Sequence, residues 1–124
     1  MSGGPRSRLS ERLRTEKRWP GEIYHFAELG STNDWLKDAC RHGLPEWSLV
    51  VADRQTAGRG RHGRAWASPP GNLYLSVLLR PRLPAELVSL LPLLAGVAVV
   101  EAAAGWGVAA ELKWPNDVQA GGLK

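Results

Sequence analysis

The sequence has a single cysteine, Cys40, among its 124 residues. No disulfide can close within the chain and no cysteine metal cluster can form, so a reducing cytoplasm is the expected compartment. An apolar signal core is missing from the N-terminus. The most apolar stretch, Leu87 to Val100, is interrupted by Ser89, Pro92 and Gly96 and stops at Glu101. It falls short of the roughly 20 residues of a membrane span, and no membrane association is expected. There are no internal repeats. His25, His42 and His62 are not spaced as metal ligands, and solvated or structural roles are expected for each. Excess charge is also missing from most of the chain. Residues 1–18 hold Arg6, Arg8, Arg12, Arg14, Lys17 and Arg18 against Glu11 and Glu16, which accounts for the whole net charge of +4. Beyond them basic and acidic residues balance, so the body lacks the broad positive field of a nucleic-acid binder. Residues 1–21 read as a basic mobile leader, and the two glutamates argue against a transit peptide.

Strand and helix signals alternate along the rest. Glu22 to Phe26 reads as a short strand. Ser31 can cap a helix in which Asp34 favours the positive end, and Trp35, Leu36, Ala39 and Cys40 share one face. That face places Cys40 in the core, and Gly43 ends the helix. Ser48 to Asp53 is a second strand candidate. Leu73 to Leu79 is apolar almost throughout, the pattern of a strand buried on both faces. A helix is expected over about Leu90 to Ala104, with Pro92 in its first turn and Ser89 as its cap, then a strand over Val108 to Leu112. The alternation predicts an α+β fold with α/β-like order, a mixed sheet flanked by helices.

Between the second and third strands runs Gly58-Arg59-Gly60-Arg61-His62-Gly63-Arg64, which offers nothing to a core. Glycine lets the backbone come close to a ligand, and consecutive N–H groups can form an anion-binding concavity. Arg59, Arg61 and Arg64 add planar donors suited to carboxylate and phosphate. No Gly-Lys-Ser/Thr follows, so this is not a Walker loop, and no aromatics are interleaved for base stacking. Taken alone, the run is equally a solvated loop. It is not alone, however. Ser31-Thr32-Asn33 stands at a helix start, and Lys113-Trp114-Pro115-Asn116-Asp117 follows a strand. Each of these also has a plain reading, as a cap and as a turn.

The three clusters, in this order, resemble the catalytic domain of biotin–protein ligases. The resemblance is carried by Ser31-Thr32-Asn33, by Gln55 to Arg64 with Trp66, by Asn72-Leu73-Tyr74-Leu75-Ser76, and by Lys113 to Asp117. It covers the chain from about Ile23 to Lys124, and the Gly/Arg run together with the Lys-Trp-Pro-Asn-Asp run is highly specific. The resemblance implies a class II synthetase-like fold of the biotin/lipoate ligase type. It implies an enzyme that joins biotin to ATP as biotinyl-5′-AMP, with Mg²⁺ assisting, and then passes biotin to a lysine of a biotin carboxyl carrier protein such as that of acetyl-CoA carboxylase. A homodimer is allowed and no nucleic-acid partner is expected. The runner-up readings are a non-catalytic fragment that binds biotin or the adenylate, and a lipoate-ligase-type relative.

By matching position, the resemblance gives Ser31, Thr32, Asn33, Gln55, Arg59, Gly60, Arg61 and Lys124 to biotin. Arg61 and Lys124 are the catalytic pair. Gly58, Arg59, Gly60, Arg61, His62, Gly63, Arg64 and Trp66 form the adenylate loop. Lys113, Asn116 and Asp117 are supporting or Mg²⁺-linked, and no direct protein ligand is assigned to a metal. A loop of this kind is expected to be disordered without ligand and to order over it. Residues 22–124 are expected to be the N-terminal part of the catalytic domain, with its C-terminal remainder, a small β-barrel domain and a DNA-binding winged helix all absent.

Overall fold

The computed structural model describes residues 19–114 and 116–124. Most of the basic segment read as a mobile leader, residues 1–18, and Pro115 lie outside the described residues. The chain divides into two compact units, Met1–Arg80 and Pro81–Lys124.

In the first unit, β1 (Ile23–Leu29), α1 (Thr32–Cys40), β2 (Leu49–Gln55) and β3 (Tyr74–Val77) build a three-stranded sheet in the order β1-β2-β3. β1 and β2 are parallel, with Ile23 opposite Leu49 and Leu29 opposite Gln55. β2 and β3 are antiparallel, with Val50 opposite Ser76, so the sheet is mixed, as expected. β2 is central, which is why Val50 and Ala52 are buried. β1 and β2 both run on further than the sequence suggests. β1 continues to Leu29, and β2 reaches Gln55, which makes Gln55 a strand residue at the edge of the loop.

The helix α1 forms as its sequence dictates. Ser31 has extended backbone, and its Oγ accepts from the Asp34 N–H at 3.3 Å, supplying one donor of the helix end with a partner. Leu36 and Ala39 bury against Leu44 and Val50, with Tyr24, Phe26 and Leu29 packed alongside. Trp35 is held by both Tyr24 and Phe26, with ring centroids 5.2 and 5.3 Å apart. The N-terminus of α1 is therefore fixed over the sheet. Cys40 is half-buried rather than core; its Sγ lies 3.0 Å from the Lys37 carbonyl. The expectation of a strand buried on both faces over Leu73–Leu79 also fails. Only Tyr74–Val77 pairs as a strand, and it lies at the sheet edge, with Leu73 72% and Leu75 44% exposed.

The second unit holds α2 (Ala85–Val88), α3 (Leu91–Gly105), β4 (Ala110–Lys113) and β5 (Asp117–Ala120). Pro92 stands in the first turn of α3, where its missing N–H costs no helical bond. Ser89 does not cap α3, however. Leu90 occupies the cap position without a side-chain bond, and the Ser89 hydroxyl donates back to the Glu86 carbonyl at 2.9 Å, closing α2 instead. Helical structure over Ala85–Gly105 is long and apolar enough to cross a membrane by length and composition, further than the Leu87–Val100 run suggests. α3 packs within its unit through Gly96, where a Cβ would run into Leu112 of β4. The β4–β5 pair is an antiparallel hairpin with Lys113 opposite Asp117. β5 was not expected, because Asp117 reads as the end of a turn.

Candidate functional site

The parallel strands β1 and β2 end side by side, and the chain leaving each is tied to the other. The N–H groups of Thr56 and Ala57 donate to the carbonyls of Leu29 and Gly30 at 2.9 and 2.8 Å. Two of the sequence-predicted clusters therefore meet here: the start of α1 and the base of the Gly/Arg loop. Thr32 is 4% exposed. Its backbone N–H donates to Gln55 Oε1 at 2.8 Å, and its Oγ1 lies 2.8 Å from the Ser76 hydroxyl of β3. Gln55 Nε2 donates to Ser68 Oγ at 3.0 Å, and Ser68 Oγ donates to the Trp66 carbonyl at 3.1 Å. A polar chain thus runs from Ser76 through Thr32, Gln55 and Ser68 to the Trp66 carbonyl, partly shielded from solvent. Among the described residues no buried side-chain nitrogen or oxygen lacks a hydrogen bond.

The Gly/Arg run has a frame of its own. Isolated antiparallel bridges join Gln55 to Ser68 and Arg59 to Ala65. Trp66 N–H donates to the Gly58 carbonyl at 2.8 Å, and Gly60 N–H to the Arg64 carbonyl at 2.7 Å. At the tip, Arg61–Gly63 makes one 3₁₀ turn, with His62 and Gly63 both at positive φ, 57° and 72°. The loop is a hairpin whose two limbs are bonded to each other. The cause is local: main-chain bonds from Gly58 and Gly60 close the hairpin across its arginines.

Charge is distributed unevenly on this hairpin. Arg59 Nη2 donates to Asp34 Oδ2 at 2.6 Å, pinning the near limb to the first turn of α1. Arg61, His62 and Arg64 are exposed at the tip, and among the described residues no ion pair engages them. Trp66, 46% exposed, stands on the far limb with its ring 3.6 Å from where a Gly60 Cβ would be. Asn33 is exposed and does not join the Thr32–Gln55 chain. With Leu36, Lys37, Cys40, Val77, Leu78 and Leu79 it lines a cavity of about 260 Å³, mostly apolar, between α1 and the end of β3. Ser31 is buried, its hydroxyl engaged in the cap.

The remaining predicted residues belong to the second unit. Lys124 Nζ lies 3.0 Å from Asp117 Oδ1. The contact follows from the turn Gly121-Gly122, both at positive φ, which folds Leu123 back onto Ala120 through a bond of 2.8 Å. Asp117 is thus a partner of Lys124. Lys113 and Asn116 are exposed beside it. Among the described residues no three His, Cys, Asp or Glu side chains gather as a metal site.

Sequence reasoning gave no role to Ser68 or Ser76 and saw Asp34 only as a helix-end residue. A serine ahead of two prolines reads as part of a turn. Only the pairing of Gln55 with Ser68 across the hairpin buries it, and that pairing is written in the spacing of the loop rather than in any motif.

Comparison with known proteins bears on this arrangement. The model of the "Biotin/lipoate A/B protein ligase family" matches residues 26–124. The bifunctional ligase/repressor BirA of Bacillus subtilis is 45% identical over 116 residues, 90% of this chain and 35% of that protein. The biotin–[acetyl-CoA-carboxylase] ligase of Mycobacterium tuberculosis is 41% identical over 105 residues, 79% of this chain and 40% of that protein. The crystallised biotin protein ligase from Aquifex aeolicus, in complex with biotin and ATP, superposes with a TM-score of 0.67 at 42% identity, over 77% of this chain and 40% of that one. The chain therefore spans about 35 to 40% of the length of these relatives.

Proposed function

Because the chain belongs to the biotin/lipoate A/B protein ligase family, we propose that it carries the biotin pocket and adenylate loop of a biotin–protein ligase. The observation that supports this reading best is the buried Thr32–Gln55 bond placed directly at the root of an arginine hairpin. A neutral, polar ring needs pre-arranged hydrogen-bond partners once it leaves water, because unpaired groups there are costly. A carboxylate attacking a phosphate needs cations beside it. Here the two requirements are met a few residues apart on one strand end.

In the first step a biotin carboxylate oxygen attacks the α-phosphorus of ATP, a P–O bond forms, and pyrophosphate leaves. Thr32 and Gln55 hold the ring, so the carboxylate tail points toward the hairpin. Arg61 and Arg64 at the tip, with Arg59 behind them, offset the charge of the two approaching anions. A hairpin folded over the mixed anhydride keeps water from it. In the second step a lysine amine of the carrier attacks the acyl carbon and AMP leaves. The described residues form no Mg²⁺ site of their own. An ion of that kind takes most of its ligands from water and nucleotide phosphates, and no step here depends on it. The carrier is proposed to be a biotin carboxyl carrier domain, in keeping with the name of the mycobacterial relative. The reaction is proposed for the cytoplasm, without nucleic acid or membrane, and α3 is then an internal helix of the catalytic domain.

The test is a calorimetric titration with biotin, then with biotin plus ATP and Mg²⁺, and with lipoic acid as competitor. Saturable biotin binding that tightens with ATP and ignores lipoic acid is the expected result. Binding of lipoic acid in place of biotin would overturn the substrate assignment.

A further inference from the structure

The bonds around Gln55 have a direction, and that direction gives Ser68 a task. We infer that Ser68 is a positioning residue that fixes which way the Gln55 amide faces, and that Gly58 keeps the space in which it does so. The inference rests on the biotin reading above.

Both ends of the polar chain are unambiguous. The Trp66 carbonyl can only accept, so Ser68 Oγ, 3.1 Å away, must donate its one proton there. Ser68 can then only accept from its other neighbour, Gln55, at 3.0 Å. The Gln55 atom facing Ser68 must therefore be Nε2, and the one facing Thr32 must be Oε1. The Thr32 backbone N–H, which can only donate, agrees from the far end at 2.8 Å. The reversed amide would set two donors against each other at Thr32. It would also draw the Ser68 proton away from Trp66.

Once the orientation is fixed, these contacts leave Gln55 one N–H and one acceptor lone pair. That donor and acceptor suit the edge of a cyclic urea, where a carbonyl adjoins an N–H. A ring with no polar edge would leave both unmet on burial, the kind of mismatch that discriminates strongly between ligands.

Gly58 belongs to the same device. A Cβ there would lie 2.5 Å from Ser68 Oγ, 2.5 Å from the Trp66 carbonyl oxygen and 3.2 Å from Gln55 Nε2. Those are three consecutive members of the chain. Ser68 itself is 5% exposed. Its backbone carbonyl separately accepts from Gln55 N at 3.0 Å, so Ser68→Ala keeps the main-chain pairing and removes only the hydroxyl.

The experiment follows the Gln55 side-chain amide by ¹⁵N NMR in the full chain and titrates biotin into wild type, Ser68→Ala, Gln55→Leu and the double variant. Ser68→Ala is expected to speed solvent exchange of the Gln55 amide protons and to weaken biotin binding about tenfold. In the Gln55→Leu background the same change should cost nothing further, since the hydroxyl acts through that amide. Unaltered amide exchange in Ser68→Ala would overturn the inference. So would an equal loss of affinity with and without Gln55. Wild type that fails to bind biotin, while Ser68→Ala still frees the amide, removes the ligand assignment and leaves the orienting role standing.

Discussion

The base and the tip of one hairpin are built on opposite terms. At the base, Gln55, Gly58 and Ser68 are packed so tightly that one added carbon would meet three polar atoms. At the tip, Gly63 has nothing within 4 Å of a would-be Cβ, and Arg61, His62 and Arg64 face solvent. The base suits a neutral group, whose recognition depends on hydrogen-bond angles and so on rigidity. The tip suits anions, whose attraction tolerates distance and so permits reach. Glycine serves both ends for different reasons. Gly58 is required for its lack of volume, and Gly63 for its positive φ.

Five substitutions would break or sharpen that contrast. The largest effect is expected from Arg61→Ala at the tip, with adenylate formation reduced by a factor on the order of 10² to 10³ and the thermal midpoint unchanged. Pyrophosphate release and a melting curve check both halves of the statement. Gly58→Ala at the base should do the reverse, lowering stability by about 1–3 kcal/mol through overpacking and taking biotin affinity with it. A denaturant titration beside Gly60→Ala decides this. The Gly60 backbone is extended and its nearest would-be contacts are at 3.6 Å, so that variant should stay within about 0.5 kcal/mol of wild type.

Thr32→Val comes next. It keeps the N–H that Gln55 uses and removes the hydroxyl that meets Ser76, so biotin should bind more weakly by roughly tenfold or less; unchanged affinity in calorimetry would take the hydroxyl out of the pocket. Asp34→Ala should matter least. Its pair with Arg59 is short but its partners are well exposed, and such pairs contribute about 0.2–1 kcal/mol. Whatever effect remains should fade as salt is raised.

Much of the first unit could be read from sequence because its signals are local. The Ser31 cap, the apolar face of α1 and the strand running into Gln55 each depend on neighbours within a few positions. The residues that were missed depend on distant ones. Ser68 is buried only because an antiparallel bridge returns it to Gln55. The hydroxyl of Ser89 prefers Glu86 behind it to the helix ahead. β5 exists because β4 offers Asp117 a partner at Lys113. Leu75 looks like core by hydropathy, and edge position leaves it exposed. The main-chain bonds across Gly58–Trp66 and Gly60–Arg64 are pairwise facts that the composition of the Gly/Arg run does not contain.

The hairpin tip also makes a convenient cutting point. Arg61 and Arg64 are the residues after which a trypsin-like protease cleaves, and both stand exposed on a turn joined to the rest only through its stem. The bridge between Gln55 and Ser68 lies below any such nick. A singly clipped chain would thus keep both halves of the ring-reading base together while its arginines hang on loose ends. If the proposed function holds, limited digestion should abolish adenylate formation while leaving biotin binding, and a bound adenylate should slow the clip.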